Sequence, residues 1–240
     1  MTGPDASPSF TLGYVPGVTP AKWVRTWQER MPDVPLTLVQ VQAAGAAGLV
    51  RDGAADAVLL RLPTDREGLH AIPLYTETTV VVVPKDHHLT AADELSTADV
   101  ADSVVLHPHD DTLGWTNPPG QQAVHRPATT ADAIELVAAG VGLLIIPQSL
   151  ARLHHRKDLT YRPLTDVPLS SVALSWPEDE TTELMEQFIG IVRGRTVNST
   201  RGPQPEPAKQ SKRPEQRKPK PANDNRRRQS TRGRKPRRRS

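Results

Sequence analysis

The sequence predicts an α/β fold with two lobes, followed by a basic segment of different composition. Strand-like and helix-like patterns alternate from residue 10 to about residue 60, the order that builds a parallel sheet with right-handed crossovers. A second helix–strand unit lies at residues 129–147. Two chain crossings between two lobes would leave a cleft. Ligands of open α/β sheets bind outside the carboxyl ends of the strands, so the cleft is the predicted site.

The first lobe is predicted from the pattern strand, helix, strand, helix, strand. Pro20 suits the first helical position after a Thr19 cap, and Trp27 lies on the apolar face of this helix. A short second helix ends near Gly53, and Pro84 marks the hinge to the second lobe. The predicted strands cover residues 10–15, 36–41, 55–60, 69–76 and 78–83.

The clearest local pattern is the helix, turn and strand predicted within residues 129–147. Thr129 or Thr130 is the predicted N-cap, because a hydroxyl oxygen accepts from the first N–H groups of a helix. Gly140 and Gly142 are expected to adopt the left-handed conformation that ends a helix. The apolar run at 143–146 predicts a strand buried on both faces. One helical face is formed by the spacing of Ile134, Val137, Ala138 and Val141.

The second lobe and the return to the first lobe complete the predicted domain. A return strand at 169–176 and an apolar-faced helix at 180–195 are expected to close the first lobe. The second lobe is predicted to contain short strands at 104–106 and 123–125, separated by an irregular stretch. The predicted organisation is a flexible N-terminus at 1–9, a domain at 10–198 (first lobe about 10–83 and 169–198, second lobe about 84–168), and a tail at 199–240.

These segments, taken in order, resemble the effector-binding (substrate-binding) domain of LysR-type transcriptional regulators. The resemblance is carried by Phe10–Val15, Trp27–Leu38, Leu49–Val58, Leu74–Pro84 and the Leu-Val-Ala-Ala-Gly-Val-Gly-Leu motif at 136–143. It implies a type 2 periplasmic-binding-protein-like fold and a role in transcription gated by a small, often anionic metabolite, with no cofactor and no enzymatic activity. Only nine residues precede the first strand, so the family's N-terminal winged helix-turn-helix is expected to be lacking.

The predicted effector site combines two segments that precede helices. Gly17, Val18 and Thr19 lie before the first helix, and Thr129 and Thr130 lie before the helix of the second lobe. Helix N-termini offer N–H groups to an anion, and the matching segments of the family supply effector contacts by resemblance. The guanidinium of Arg61, just after the third strand, would bind a carboxylate. The alternative is that both threonines only cap their helices and that Arg61 is solvated.

The charges divide the chain into an acidic part and a basic part. Residues 201–240 hold 16 Lys and Arg against 3 Asp and Glu, a net +13, so residues 1–200 hold 14 against 24, a net −10. The tail has almost no apolar side chains and is predicted to be disordered. The cluster of Arg and Lys at its end suits non-specific binding to DNA or RNA. The alternative is that the tail is a solvated segment that binds nothing specific. The predicted contacts are Arg226, Arg227, Arg228, Arg232, Arg234, Lys235, Arg237, Arg238 and Arg239.

Other classes of function find little support in the sequence. There is no cysteine, and neither a P-loop nor a Gly-x-Ser-x-Gly motif is present. His107, His109 and Asp111 form a possible metal-binding loop, which a polar surface loop explains equally well. No export signal or bilayer-length apolar run is found, so a cytoplasmic location is expected.

By resemblance a homodimer through the helix at 19–31 is expected. A partner-binding module that dimerises with full-length regulators and an enzyme on a binding-protein fold remain as alternatives.

Overall fold

The computed structural model describes residues 7–179 and 181–195, which fold as one compact unit. Within this part of the chain no helix has the length and apolarity to cross a membrane. The strands are β1 (Phe10–Tyr14), β2 (Leu36–Gln40), β3 (Ala57–Leu62), β4 (Leu69–Glu77), β5 (Thr79–Pro84), β6 (Val104–Leu106), β7 (Gln121–Gln122), β8 (Leu143–Pro147), β9 (Leu159–Pro163) and β10 (Ser170–Pro177). The α-helices are α1 (Ala21–Arg30), α2 (Ala46–Arg51), α3 (Thr130–Ala138), α4 (Gln148–Leu153) and α5 (Glu183–Val192).

The first lobe is built on a five-stranded sheet with the order β2-β1-β3-β10-β4. Strands β1, β2 and β3 are parallel, as the alternating pattern predicts, and their carboxyl ends lie at one edge of the sheet. The return strand β10 runs antiparallel to both β3 and β4. The predicted return of the chain to the first lobe is therefore confirmed.

The second lobe is built on a five-stranded sheet with the order β7-β6-β8-β5-β9. Strand β5 was predicted to belong to the first lobe, but it pairs with β8 and β9 of this sheet. The chain therefore crosses at Thr78, between β4 and β5, rather than at Pro84. The short strand predicted at 123–125 is wrong by two residues, since β7 pairs with β6 at Gln121–Gln122. Helix α4 and strand β9 have no predicted counterpart.

Aromatic packing holds the first lobe together. Trp27 from α1, Phe10 from β1 and Phe188 from α5 are fully buried, with ring centroids 4.8 to 5.9 Å apart. Such packing adds to the free energy gained from apolar burial. The indole N–H of Trp27 also donates to the carbonyl of Val34 over 2.8 Å. This cluster fixes α1 and α5 to the same face of the sheet, as predicted for the last helix.

The α3–β8 unit follows the predicted pattern except at its turn. Gly140 ends the helix with φ +74, whereas Gly142 does not adopt a positive φ. A Cβ at Gly142 would lie 2.7 Å from the carbonyl oxygen of Val104, so close packing on β6 requires glycine there. The assignment of Val141 to the buried helical face is wrong. The helix ends before it, and 51% of Val141 is exposed.

Thr19 does not cap α1, contrary to the prediction. The residue that precedes the helix is Pro20, whose backbone is already helical, and no side chain caps the first turn. Thr19 is exposed one residue further out. Residues 7–9 precede β1 without regular structure, whereas residues 1–6 of the predicted flexible start and residues 196–240 lie outside the described residues.

Candidate functional site

A cavity of about 230 Å³ lies between the two lobes, at the carboxyl ends of β1, β2 and β3. This is the edge at which open α/β sheets bind their ligands. The volume is roughly that of seven or eight water molecules. The lining is partly apolar and partly polar, and it consists of Val15, Pro16, Gln40, Gln42, Ala43, Arg61, Asp110, Thr112, Thr129, Thr130, Ala131, Leu150, Leu153 and His154.

Arg61 is the centre of a network that joins the two lobes. Its side chain is almost fully buried and forms an ion pair with Glu77 of β4 through Nη1, which also donates to Ser170 Oγ over 3.0 Å. Its Nη2 donates to Ser149 Oγ of α4 over 2.9 Å and to the carbonyl of Pro16 over 3.1 Å. The charge of Arg61 is therefore neutralised inside the protein, and one of its bonds spans the cleft.

Gly17 allows the loop after β1 to approach this network. Its φ is +84, a backbone conformation that L side chains rarely adopt. A Cβ at this position would lie 2.6 Å from Ser149 Oγ and 2.9 Å from Nη2 of Arg61. The loop, the buried arginine and the start of α4 therefore meet at one point between the lobes.

The N-terminus of α3 faces the same cavity from the second lobe. Thr129 Oγ1 donates to Asp132 Oδ2 over 2.8 Å and accepts from the Asp132 N–H over 3.1 Å, a capping box. Thr130 Oγ1 donates to Asp110 Oδ1 over 2.9 Å. Both hydroxyl hydrogens are therefore used within the protein. The N–H groups of Thr130 and Ala131, in the first turn, are the donors that remain for a ligand.

Two buried polar atoms of the cavity lining have no hydrogen-bond partner in the protein. They are Nε of Arg61 and Oγ1 of Thr112, on opposite sides of the cleft. An unpaired buried polar group costs about 1–3 kcal/mol, so such groups are uncommon in folded proteins. Both residues line the cavity, although these two atoms themselves have almost no accessible surface.

The structure distributes the predicted site residues between two neighbouring hollows. Arg61, Thr129 and Thr130 line the cavity described above. A wider groove of about 640 Å³ is lined by Gly17, Val18 and Thr19 together with Tyr14, Tyr75, Glu77, Ser149 and Arg152. Pro16, Gln40 and Leu153 line both hollows, so the contact between Arg61 and Ser149 stands between them.

The groove contains one perturbed ionisable group. Partial burial raises the pKa of the Tyr75 phenol above its ordinary value, and the carboxylate of Glu77 raises it further, while Arg61 acts in the opposite direction. Tyr75 is therefore a neutral hydroxyl at neutral pH and donates or accepts hydrogen bonds rather than charge.

Sequence reasoning missed several residues of the cavity. Asp110 lies in a loop that was considered only as a metal site, and Thr112 follows it two residues later. Gln40 and Gln42 were detectable, because Gln40 ends a parallel strand at its carboxyl end and Gln42 follows two residues later. Ser149 belongs to the unpredicted helix α4. The tail residues predicted to bind nucleic acid lie outside the described residues.

In the loop considered as a metal site, a histidine ring lies beside a carboxylate. His107 Nε2 lies 3.3 Å from Asp111 Oδ2, and Arg126 donates to the carbonyls of His107 and Pro108. Among residues 7–179 and 181–195, no three His, Cys, Asp or Glu side chains come together as metal ligands. Hydrogen bonds within the protein thus account for the polar character of the loop.

The sequence matches the family model of the LysR substrate binding domain over residues 6–196. The probable hydrogen peroxide-inducible genes activator of Mycobacterium leprae (strain TN) is 31% identical over 152 residues, which cover 58% of this chain and 49% of that protein. The HTH-type transcriptional regulator AlsR of Bacillus subtilis (strain 168) is 24% identical over 199 residues, 76% of this chain and 62% of the relative. The chain thus spans about half to two-thirds of the length of these relatives.

The fold is shared with a solved effector-binding domain. The structure of the BenM effector-binding domain with its effector benzoate superposes with a TM-score of 0.67, covering 79% of this chain and 92% of that one. The two sequences are 17% identical, so the likeness concerns the fold.

Proposed function

The chain belongs to the LysR substrate-binding domain family of transcriptional regulators, and we propose that the cavity between its lobes binds a small-molecule effector. On this proposal the effector contacts Thr129 and Thr130 through the first turn of α3, and Arg61 through its Nε–H. Gly17, Val18 and Thr19 contribute from the adjoining groove, where the loop after β1 shapes the entrance. Regulation follows if the effector binds one arrangement of the lobes better than another.

The observation that carries the proposal is the cavity itself, which lies at the carboxyl ends of β1, β2 and β3 and is lined by the first turn of α3. Capping alone explains the hydroxyls of Thr129 and Thr130, because both make hydrogen bonds within the protein. Capping does not explain a buried Nε–H and a buried hydroxyl without partners in the same cavity. A ligand could pair with these two atoms only after the side chains around them move, because neither atom has appreciable accessible surface.

The peroxide-inducible activators among the relatives suggest a redox signal as a second candidate. The 240 residues contain no cysteine, so a thiol–disulfide switch is not available within them. A non-covalent effector is therefore the better supported signal for this domain. The same relatives are regulators, which favours this role over an enzyme on a binding-protein fold.

The proposal is tested by a metabolite screen with thermal denaturation as the measurement. A compound that binds only the folded chain raises Tm, and the gain is about 2.7 kcal/mol at a hundredfold excess over Kd. Thr112→Val is the informative variant, because it removes an unpartnered hydroxyl. Stability of the unliganded protein should rise by up to about 1–3 kcal/mol, because a methyl group replaces a buried hydroxyl that has no partner, while the ligand-induced shift should fall.

Thr79→Val is the matched control for that variant. The Thr79 hydroxyl is buried outside the cavity and donates to the carbonyl of Pro168 over 2.7 Å. Its removal should lower stability by about 1–3 kcal/mol and leave the ligand-induced shift intact. A ligand shift that survives Thr112→Val and also survives the pair Thr19→Val and Thr129→Val would place the effector elsewhere.

The basic tail is proposed to bind nucleic acid without sequence preference. The support is its net charge of +13 in residues 201–240, since each phosphate neutralised releases counterions and favours binding. The full chain should shift DNA at low salt and lose this binding steeply as salt rises, whereas residues 1–200 should not bind. Equal binding by both would exclude the tail. The proposed contacts are Arg226, Arg227, Arg228, Arg232, Arg234, Lys235, Arg237, Arg238 and Arg239.

A homodimer is proposed in addition, with a mixed dimer of this chain and a full-length regulator as the alternative. Helix α1 supports the first possibility, because Trp27 is buried in the lobe while several residues of its opposite face are exposed. A role in transcription also implies a cytoplasmic location. Light scattering of residues 1–200 should report a dimer at tens of micromolar, because this concentration range populates weakly associating dimers. A monomer at that concentration would count against the homodimer.

A further inference from the structure

We propose that the effector is a small zwitterion, an α-amino acid with an apolar side chain, rather than a simple carboxylate. Its carboxylate would bind the first N–H groups of α3, and its ammonium would bind Asp110. The inference rests on the proposed effector role of this cavity and specifies the chemistry of the compound that the cavity accepts.

The charge of the cavity wall argues against a simple anion. Arg61 is the cationic residue of the lining when histidine is counted as neutral, and its charge is cancelled by Glu77 immediately behind it. Asp110 also lines the cavity, and no cation of the described residues lies within ion-pair distance of it. The nearby Arg126 donates instead to the carbonyls of His107 and Pro108. The wall and its immediate support therefore carry one uncompensated negative charge.

The donors and the acceptor lie next to each other. Asp110 Oδ1 accepts from Thr130 Oγ1 over 2.9 Å, which holds the carboxylate beside the first turn of α3. Thr130 and Ala131 are the two residues of that turn whose N–H groups remain for a ligand. An α-amino acid carries its ammonium and carboxylate on one carbon. It therefore presents both charges within the short span that this pairing requires.

The rest of the cavity suits a short apolar side chain. Val15, Ala43, Leu150 and Leu153 supply apolar walls, and the volume is about 230 Å³. The side chains of Arg61 and Thr112 belong to the same lining, but their unpartnered atoms are covered by neighbouring groups.

Matched probes test the inference directly. The full chain is titrated with L-alanine, L-valine and L-leucine, with the corresponding carboxylates that lack the amino group, and with 2-methylpropylamine, which is valine without its carboxylate. Binding is measured by calorimetry and by thermal shift. At least one amino acid should bind about tenfold or more tightly than its matched carboxylate, because only the amino acid neutralises Asp110. The amine should bind more weakly than valine.

Asp110→Asn separates the charge from the hydrogen bond. Its amide oxygen can still accept from Thr130, so the loop is expected to fold as before. The variant should weaken amino-acid binding and bring the amino acid and the matched carboxylate to within about threefold of each other. Asp93→Asn makes the same charge change on the exposed surface of the second lobe and should alter neither affinity.

Three results overturn the inference. In the first, the carboxylates bind as tightly as the amino acids, which leaves the proposed effector role intact. In the second, Asp110→Asn retains the parent preference. In the third, no amino acid binds at millimolar concentration. If the wider metabolite screen then finds another ligand in the cavity, only the zwitterion is excluded, and if it finds none, the proposed function fails as well.

Discussion

The two sides of the cleft carry similar residue types, but these residues have different roles. On the side of the first lobe, the loop with Gly17 and Thr19 precedes a helix that has no side-chain cap, and it packs against the buried Arg61. On the side of the second lobe, Thr129 and Asp132 form a capping box, and the N–H groups of Thr130 and Ala131 have no partner within the helix. One side makes the contact between lobes, and the other presents donors to a ligand.

A threonine before a helix therefore does not by itself define a cap or a site. Thr19 and Thr129 occupy comparable positions in the sequence, yet Thr129 makes the capping hydrogen bonds and no cap is formed at Thr19. The distinction comes from the next turn of chain. Pro20 itself is the residue that precedes α1, so Thr19 lies one position too far from the helix to cap it, whereas Thr129 directly precedes α3 and Asp132 reciprocates its bond.

The largest expected effect comes from breaking the contact on the first side. Arg61→Met removes the partner of Glu77 and the bonds to Ser149 and Pro16. Removal of one member of a buried ion pair should lower the free energy of unfolding by about 3–5 kcal/mol. Urea denaturation measures this loss. The double variant with Glu77→Gln should recover part of it, because no unpaired charge then remains buried.

Arg51→Met is the control for that experiment. Arg51 pairs with Asp65 on the surface, where the exposed fractions of the two side chains are 34% and 70%. Its loss should cost about 1 kcal/mol or less. Equal effects of the two arginine variants would show that the buried network contributes no more than a surface pair.

A smaller effect is expected from filling the space at Gly17. In Gly17→Ala the new Cβ would meet Ser149 and Arg61 in a backbone conformation unsuited to alanine, so a loss of about 1–3 kcal/mol is expected. Gly53→Ala provides the comparison, because Gly53 also has a positive φ (+67) but no atom within 4 Å of its Cβ position. The difference in stability between the two variants measures the contact between lobes. No difference would argue that backbone strain alone matters.

The stability losses caused by Thr129→Val and Thr19→Val should differ by about 1 kcal/mol. Thr129→Val removes both capping hydrogen bonds of its hydroxyl and should lower stability by roughly that amount, while Thr129→Ser should retain it. Thr19→Val should change stability by less than about 0.5 kcal/mol, because its exposed side chain caps nothing. Thermal denaturation of the three variants tests the contrast. A loss at Thr19 equal to that at Thr129 would contradict it.

The smallest effect is a pH dependence of stability that arises from Asp99 of the second lobe. Hydrogen bonds from the backbone and side chain of Ser96 lower the pKa of the Asp99 carboxyl below the ordinary 3.8. A depressed pKa means that this contribution is present above 3.8 and is lost as pH falls through the folded-state value. The stability difference between the parent and Asp99→Asn should therefore shrink below about pH 4. A constant difference would exclude this contribution.

The alternation of strands and helices could be predicted from the sequence, because the spacing of apolar residues in each element indicates which of its faces is buried. The parallel order of the first three strands, the buried strand at Leu143–Pro147 and the apolar face of the last helix all follow from such spacing. The family resemblance followed from the same segments in the same order. Helix α4 escaped because it is short and directly follows Pro147.

Which side chains meet depends on the packing of segments that are distant in the sequence. Arg61 lies 16 residues from Glu77 and 88 residues from Ser149, so its role as a link between lobes depends on how the two sheets pack. The capping state of Thr19 and Thr129, the membership of β5 in the second sheet and the proximity of Asp110 to α3 depend on packing in the same way. Local pattern sets the faces of an element, while contacts between distant segments are set by the free energy of burying those faces together.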